Sequence, residues 1–156
     1  MKSIAPCIWF DKNAEEAVKF YVSVFKNSKI HSVSHYGDGM PMPKGTVLAI
    51  LFAINGQDFM ALNGGPGVPH SNAVSFMVNC DTQAELDDYW AKLTADGGSE
   101  VQCGWLKDKF GLSWQIVPAN LPKLLGGDQA QTNRVMAEVM KMIKLDIATM
   151  EKAAAG

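Results

Sequence analysis

Cysteine and histidine are scarce in this chain, three of each in 156 residues, and neither set is spaced for metal or disulfide chemistry. Cys7, Cys80 and Cys103 are odd in number and share no C-x-x-C spacing, which argues against a disulfide framework or a zinc knuckle. All three are expected to be buried, reduced thiols, in apolar surroundings such as Met77-Val78-Asn79-Cys80. Spacing sets no base beside any of them, so a nucleophilic cysteine is not signalled. Charge of one sign is missing too. Fourteen Lys and Arg against sixteen Asp and Glu leave −2, without a run of like charge, so nucleic acid and anionic membrane are not expected partners. Long apolar runs are absent. Pro6 and Asp11 interrupt the opening segment before it can act as a signal-peptide core, and no later stretch approaches a membrane span. Cytoplasmic residence is the resulting expectation.

What the chain does contain is a repeat. Asp11-Lys-Asn-Ala14-Glu15 returns seventy residues on as Asp81-Thr-Gln-Ala84-Glu85, each copy closing an apolar run and opening a helical pattern. In the first helix Ala14, Ala17, Val18, Tyr21, Val24 and Phe25 share a face, with Asn13 as the expected N-cap and Glu16 as its box partner. In the second, Thr82 and Glu85 form a capping box, Leu86, Tyr89, Trp90 and Leu93 follow at helical spacing, and Gly97-Gly98 ends the helix. Strands are expected at Ile30 to Tyr36, Thr46 to Ile54 and Asp58 to Leu62, then at about Glu100 to Leu106 and Leu112 to Val117, with Asn55-Gly56 as a two-residue hairpin turn. Thr46 to Ile54 is apolar on both parities, so both its faces should be covered.

The pattern predicts one domain over 1–156, with a first half at about 1–66, a second at about 70–118, and a helical extension at 119–156. Gly37 to Gly45 is a loop between strands, and Gly64-Gly65-Pro66-Gly67-Val68-Pro69 links the halves. In the extension, Leu121 to Leu125 ends at Gly126-Gly127. Val135, Met136, Val139, Met140 and Ile143 form an amphipathic helix, and Asp146 is placed to cap a last one. This extension should pack on the body or on a second subunit.

Two such units, with the turn Asp108-Lys109-Phe110-Gly111 before the strand Ser113-Trp114-Gln115-Ile116-Val117, resemble the vicinal oxygen chelate (glyoxalase/bleomycin resistance) superfamily. Ile4-Ala-Pro-Cys-Ile-Trp-Phe-Asp11, Ala61-Leu-Asn-Gly-Gly-Pro66, Phe76-Met-Val-Asn-Cys-Asp81 and the stretch from Cys103 to Gln115 resemble its PhnB-like branch. Many members of that branch carry the label 3-demethylubiquinone-9 3-methyltransferase, and the helical extension also resembles it. The resemblance covers Ile4 to about Pro118. It implies an α+β fold in which paired βαβββ units form a cup-shaped mixed sheet. It also implies, for enzymes of the superfamily, a divalent metal held by four side chains, one from each of four cup strands, with substrate oxygens polarised by the ion.

At those four positions the resemblance places Ile4, Ala5 or Pro6 on the first strand, Ala61 on the fourth and Gln115 on the eighth. On the fifth it places Ala73, with His70 and Asn72 close by. One neutral amide oxygen without a carboxylate or imidazole does not build a tight zinc, iron or nickel site, so no metal and no cofactor are expected. Nor does Gly64-Gly65-Pro66-Gly67 open a helix, as a turn holding a methyl donor in a Rossmann-type sheet would.

Trp9, Trp105 and Trp114 lie on or beside cup strands, and an apolar pocket lined by tryptophan with a few amides suits a planar or apolar molecule. Gln115 and Asn63 are polar within apolar strands and must find partners in backbone or ligand. His35 and Tyr36 precede the Gly37 to Gly45 loop. His31 and His35, four apart in a strand, should share a face, without a carboxylate nearby in sequence. Lys107-Asp108-Lys109 reads as a solvated turn. The expected ligand contacts are therefore Trp9, His35, Asn63, Trp105, Trp114 and Gln115. The expected function is binding of a small organic ligand by a homodimer. Its alternatives are a metal-dependent lyase, isomerase or dioxygenase using His70, His31 or His35 with Gln115, and a methyltransferase as the family label suggests.

Overall fold

The computed structural model describes residues 4–156; Met1, Lys2 and Ser3, part of the N-terminal segment read above, lie outside the described residues. The two helix-opening signals at Asp11 and Asp81 head two compact units, Met1–Pro69 and His70–Gly156. Each contains a βαβββ succession, and the fold is α+β.

In the first unit, β1 (Cys7–Phe10), α1 (Ala14–Val24), β2 (Lys29–His35), β3 (Val47–Ile54) and β4 (Gln57–Asn63) build a four-stranded sheet of order β1-β4-β3-β2. β1 runs parallel to β4 and the other pairs are antiparallel. Paired residues put their side chains on one face of a sheet. Ile8, Ile50 and Ala61 therefore share a face with Phe52 and Phe59, and all five are buried on the side that α1 covers. Phe52 and Phe59 add a stacked ring pair with centroids 5.5 Å apart. The helix answers with Ala14, Ala17, Val18 and Tyr21, all fully buried, as its spacing predicts. On the opposite face lie Trp9, Leu51, Asp58, Met60 and Leu62, which are only half-buried.

The second unit repeats the order. β5 (Phe76–Cys80), α2 (Gln83–Thr94), β6 (Ser99–Glu100), β7 (Trp105–Lys107) and β8 (Ser113–Pro118) form a sheet β5-β8-β7-β6, with β5 parallel to β8. The single strand expected at Glu100 to Leu106 is in fact the hairpin β6-β7. Cys103 (φ 61°) and Gly104 (φ 82°) turn the chain there, and a Cβ at Gly104 would lie 2.9 Å from Leu145. Leu86, Tyr89, Trp90 and Leu93 of α2 are buried, as are Leu106, Trp114 and Ile116.

Three more helices follow: α3 (Leu121–Leu125), α4 (Gln129–Val139) and α5 (Ile147–Ala155). α4 stops at Val139, short of the predicted end beyond Met140. The carbonyls of Met142 and Ile143 accept instead from the N–H groups of Cys103 and Gly104, at 2.9 and 2.8 Å, which closes the β6-β7 turn. Gln83 of α2 fixes the start of α5: its Oε1 accepts from Ile147 N–H at 2.9 Å and its Nε2 donates to Leu145 O at 3.1 Å. The extension is thus docked on the second unit's own sheet and helix. Among the described residues no helix is long and apolar enough to cross a membrane.

Candidate functional site

On the second sheet, Trp105 of β7 stands opposite Gln115 of β8, and Gln115 stands beside Met77 of β5. Trp114, one residue out of phase, is buried on the α2 side, so Trp105, Gln115 and Met77 form a row on the other face. Met77 is 51% exposed, while Trp105 and Gln115 are half-buried. The Gln115 amide donates to Ser75 Oγ at 2.9 Å, and Ser113 Oγ donates to Asn72 Oδ1 at 3.1 Å. The row presents an amide between a sulfur and an indole, a surface suited to a small, partly apolar molecule. Met77 and Ser75 were not singled out from sequence. The parallel pairing of β5 with β8, which brings them to Gln115, has no local signal.

Trp114 plays a different part. Its Nε1 donates to Asp108 Oδ2 at 2.8 Å, while Asp108 Oδ1 accepts from the N–H groups of Phe110 (2.9 Å) and Leu112 (3.0 Å). Asp108 is only 3% exposed, which corrects the solvated reading of Lys107-Asp108-Lys109. A carboxylate with three donors can be buried where an unpartnered one could not. Trp114 also packs against Phe76, with centroids 5.5 Å apart.

In the first unit Asn63 is buried. Its Oδ1 accepts from Ala14 N–H at 2.9 Å, its Nδ2 donates to Val47 O at 2.9 Å, and its carbonyl accepts from Tyr36 Oη at 2.6 Å. The predicted Asn13 cap is therefore replaced: Asn13 makes no side-chain cap bond. Trp9 Nε1 donates to Gly65 O at 2.8 Å, and its ring fills the place of a side chain at residue 64, where a Cβ would fall 2.2 Å from Trp9 Cζ2.

His31 and His35 do not act as a pair on one face. Register shifts fall between Ile30 and Ser32 and between Ser34 and His35, breaking the alternation. His31 Nε2 lies 3.4 Å from Asp58 Oδ1, a carboxylate 27 residues away in sequence that the β3-β4 hairpin carries across the sheet. Glu15 stands in the first turn of α1. There the Lys19 hydrogen bond and charge, with a smaller contribution from His35, hold the carboxyl below its ordinary value. His31, Asp58, Leu51, Phe52 and Phe59 line a cleft of about 320 Å³.

The positions implied for the superfamily metal do not supply a ligand set. Ala61 is fully buried on the α1 side, so its expected place on the cup face is corrected; Met60 and Leu62 occupy the other face. Ala73 lies in an exposed turn before β5. Pro6 contributes only its carbonyl, which accepts from Met60 N–H at 2.9 Å. Among the described residues no three His, Cys, Asp or Glu side chains gather closely enough to hold an ion, so the residues present do not fit the four-ligand site.

The thiols divide as well. Only Cys80 is buried, and burial, with the charges of Glu85 and Asp81, pushes it up to about 12. Cys7 is exposed, though partial desolvation still raises it, and Cys103 is half-buried.

The sequence profile of the 3-demethylubiquinone-9 3-methyltransferase family matches residues 2–117. No match is found among curated proteins. Among solved structures, the PhnB protein of Bacillus cereus is 34% identical, covering 75% of this chain and 98% of its own, with a TM-score of 0.68. Protein PA1353 of Pseudomonas aeruginosa is 22% identical over 76% of this chain and 97% of its own, with a TM-score of 0.60. The fosfomycin resistance protein FosX of Listeria monocytogenes is 16% identical over 81% of this chain and 97% of its own, with a TM-score of 0.53. The last two speak to the fold alone. Paired βαβββ units of this kind are those of the vicinal oxygen chelate class. Within it the chain belongs to the 3-demethylubiquinone-9 3-methyltransferase family, the PhnB-like branch.

Proposed function

We propose that this protein binds a small organic molecule without a tightly held metal. The observation that carries the reading is the row Trp105, Gln115 and Met77 on the face of the second sheet opposite Trp114. Trp105 and Gln115 make direct contact with the ligand, and Trp9 offers apolar surface within the first unit, on the sheet face away from α1. Within the second unit Trp114 holds the strand that presents Gln115, and within the first Asn63 ties β4 to β3 while His35 stands at the end of β2. The chain works as one domain and as a cytoplasmic homodimer. The exposed Met136, Met140 and Ile143 supply apolar surface for pairing.

The test is native mass spectrometry of protein purified without a histidine tag, followed by calorimetric titration with zinc, nickel and manganese. A small molecule released on denaturation, with no metal bound at micromolar affinity, is the expected result. Stoichiometric metal binding at that affinity would overturn it.

One observation favours a metal-dependent reading, namely the two-donor pair His31 and Asp58 at 3.4 Å. The same titration on His31→Ala separates the two. The methyltransferase activity in the family's name has less support. Gly64-Gly65-Pro66-Gly67 leads on to β5 rather than into a helix, and the Trp9 ring packs where a side chain at residue 64 would stand.

A further inference from the structure

The chain has four tryptophans, and their N–H groups differ in what they meet. Trp9 donates to Gly65 O, Trp90 to Glu100 Oε1 and Trp114 to Asp108 Oδ2, all at 2.7 to 2.8 Å. Trp105 Nε1 meets no acceptor among the described residues, and it is the tryptophan directly across the strand pair from Gln115. Gln115 is half used in the same sense. Its Nε2 is fixed by Ser75 Oγ, which orients the amide, while nothing among the described residues donates to its Oε1. One donor and one acceptor thus stand on neighbouring residues of a single face, side chains opposite in a pair being about 5 Å apart at their Cβ atoms. Met77 flanks them with apolar surface and no charge.

We infer that this site recognises a neutral, planar molecule carrying a hydrogen-bond acceptor beside a donor on one edge, as in a cyclic amide. The acceptor takes the Trp105 N–H and the donor gives to Gln115 Oε1. This inference rests on the binding reading above and names the chemistry of its ligand. A carboxylate would meet the Gln115 oxygen acceptor to acceptor, and an ammonium would meet the Trp105 N–H donor to donor, so both ions are disfavoured.

The experiment is a titration of the full chain, followed through its four indole N–H resonances, with three flat probes of similar size. These are 2-quinolinone, with donor and acceptor; quinoline, with an acceptor only; and naphthalene, with neither. Trp105→Phe assigns one resonance and removes the donor; Gln115→Met removes the acceptor at similar volume. The indole signals of Trp9, Trp90 and Trp114 report that each variant is folded. The expected result is that 2-quinolinone shifts the Trp105 indole downfield and binds about tenfold more tightly than naphthalene, with the preference falling to about twofold in either variant. Equal binding of 2-quinolinone and naphthalene with Trp105 responding to both would overturn this inference and leave the binding reading standing. Failure of all three probes to move any indole signal would overturn both.

Discussion

Ala14 donates its backbone N–H to Asn63 Oδ1 at 2.9 Å, so the first donor of α1 is capped from the end of β4, 49 residues away. A helix leaves its first N–H groups without internal partners, and a side chain from another element serves as well as a local cap. The same amide reaches Val47 O on β3, so one buried residue ties the helix to two strands.

Asn63→Ala should therefore strand a buried N–H and a carbonyl together and cost about 2 kcal/mol. Asn63→Asp keeps the acceptor for Ala14 but turns a buried carboxylate oxygen on the Val47 carbonyl, and should cost more at neutral pH. Urea unfolding of the two variants checks the order; equal stabilities would contradict it.

Asp108→Asn should be costly even though it preserves shape. The amide can keep one oxygen toward Phe110 and Leu112 but then points a donor at the Trp114 N–H. A loss of about 2 to 3 kcal/mol is expected, with a shifted Trp114 emission, both read in one denaturation series.

Thiol labelling at pH 8 should separate the three cysteines. Cys7 and Cys103 react in the folded protein, Cys7 at a rate held down by the desolvation that raises its thiol, and Cys80 reacts only on unfolding. Mass spectrometry after timed quenching gives the order, and early modification of Cys80 would contradict the burial described.

Acid should loosen the C-terminal helices before the sheets. Asp87 is held below its ordinary value of 3.8 chiefly by Lys144 and then Gln83, and Asp146 by the hydroxyl and backbone N–H of Thr149. A carboxyl lowered on folding contributes its stability above the unfolded value and loses it as pH falls through the folded one. The contribution should thus be whole at pH 5 and fade below 3.8. Amide exchange in α5 at pH 5 and pH 2.5 measures it, and Asp146→Asn should remove part of the difference.

Much of this was legible because periodicity is local. The faces of α1 and α2 follow from spacing. The second capping box forms as read at Thr82 and Glu85, with Glu85 reaching Asp81 N–H at 2.9 Å. What failed depended on distant pairings. Phe59 to Leu62 is apolar at alternate and intervening positions alike, so parity did not say that Ala61 faces α1. Only the Asn63 bond to the helix start does that. The register shifts between β2 and β3 likewise broke the alternation on which the pairing of His31 with His35 rested.

The turn of β6 into β7 takes its carbonyl partners from Met142 and Ile143, near the far end of the chain. On the ribosome, then, the two units mature on different schedules. The first has all its strands once Asn63 has emerged, whereas the second holds an open hairpin until the last helices appear. Nascent chains halted just past Pro118 should resist protease in their first unit and yield in the second, and release of the full chain should close that gap.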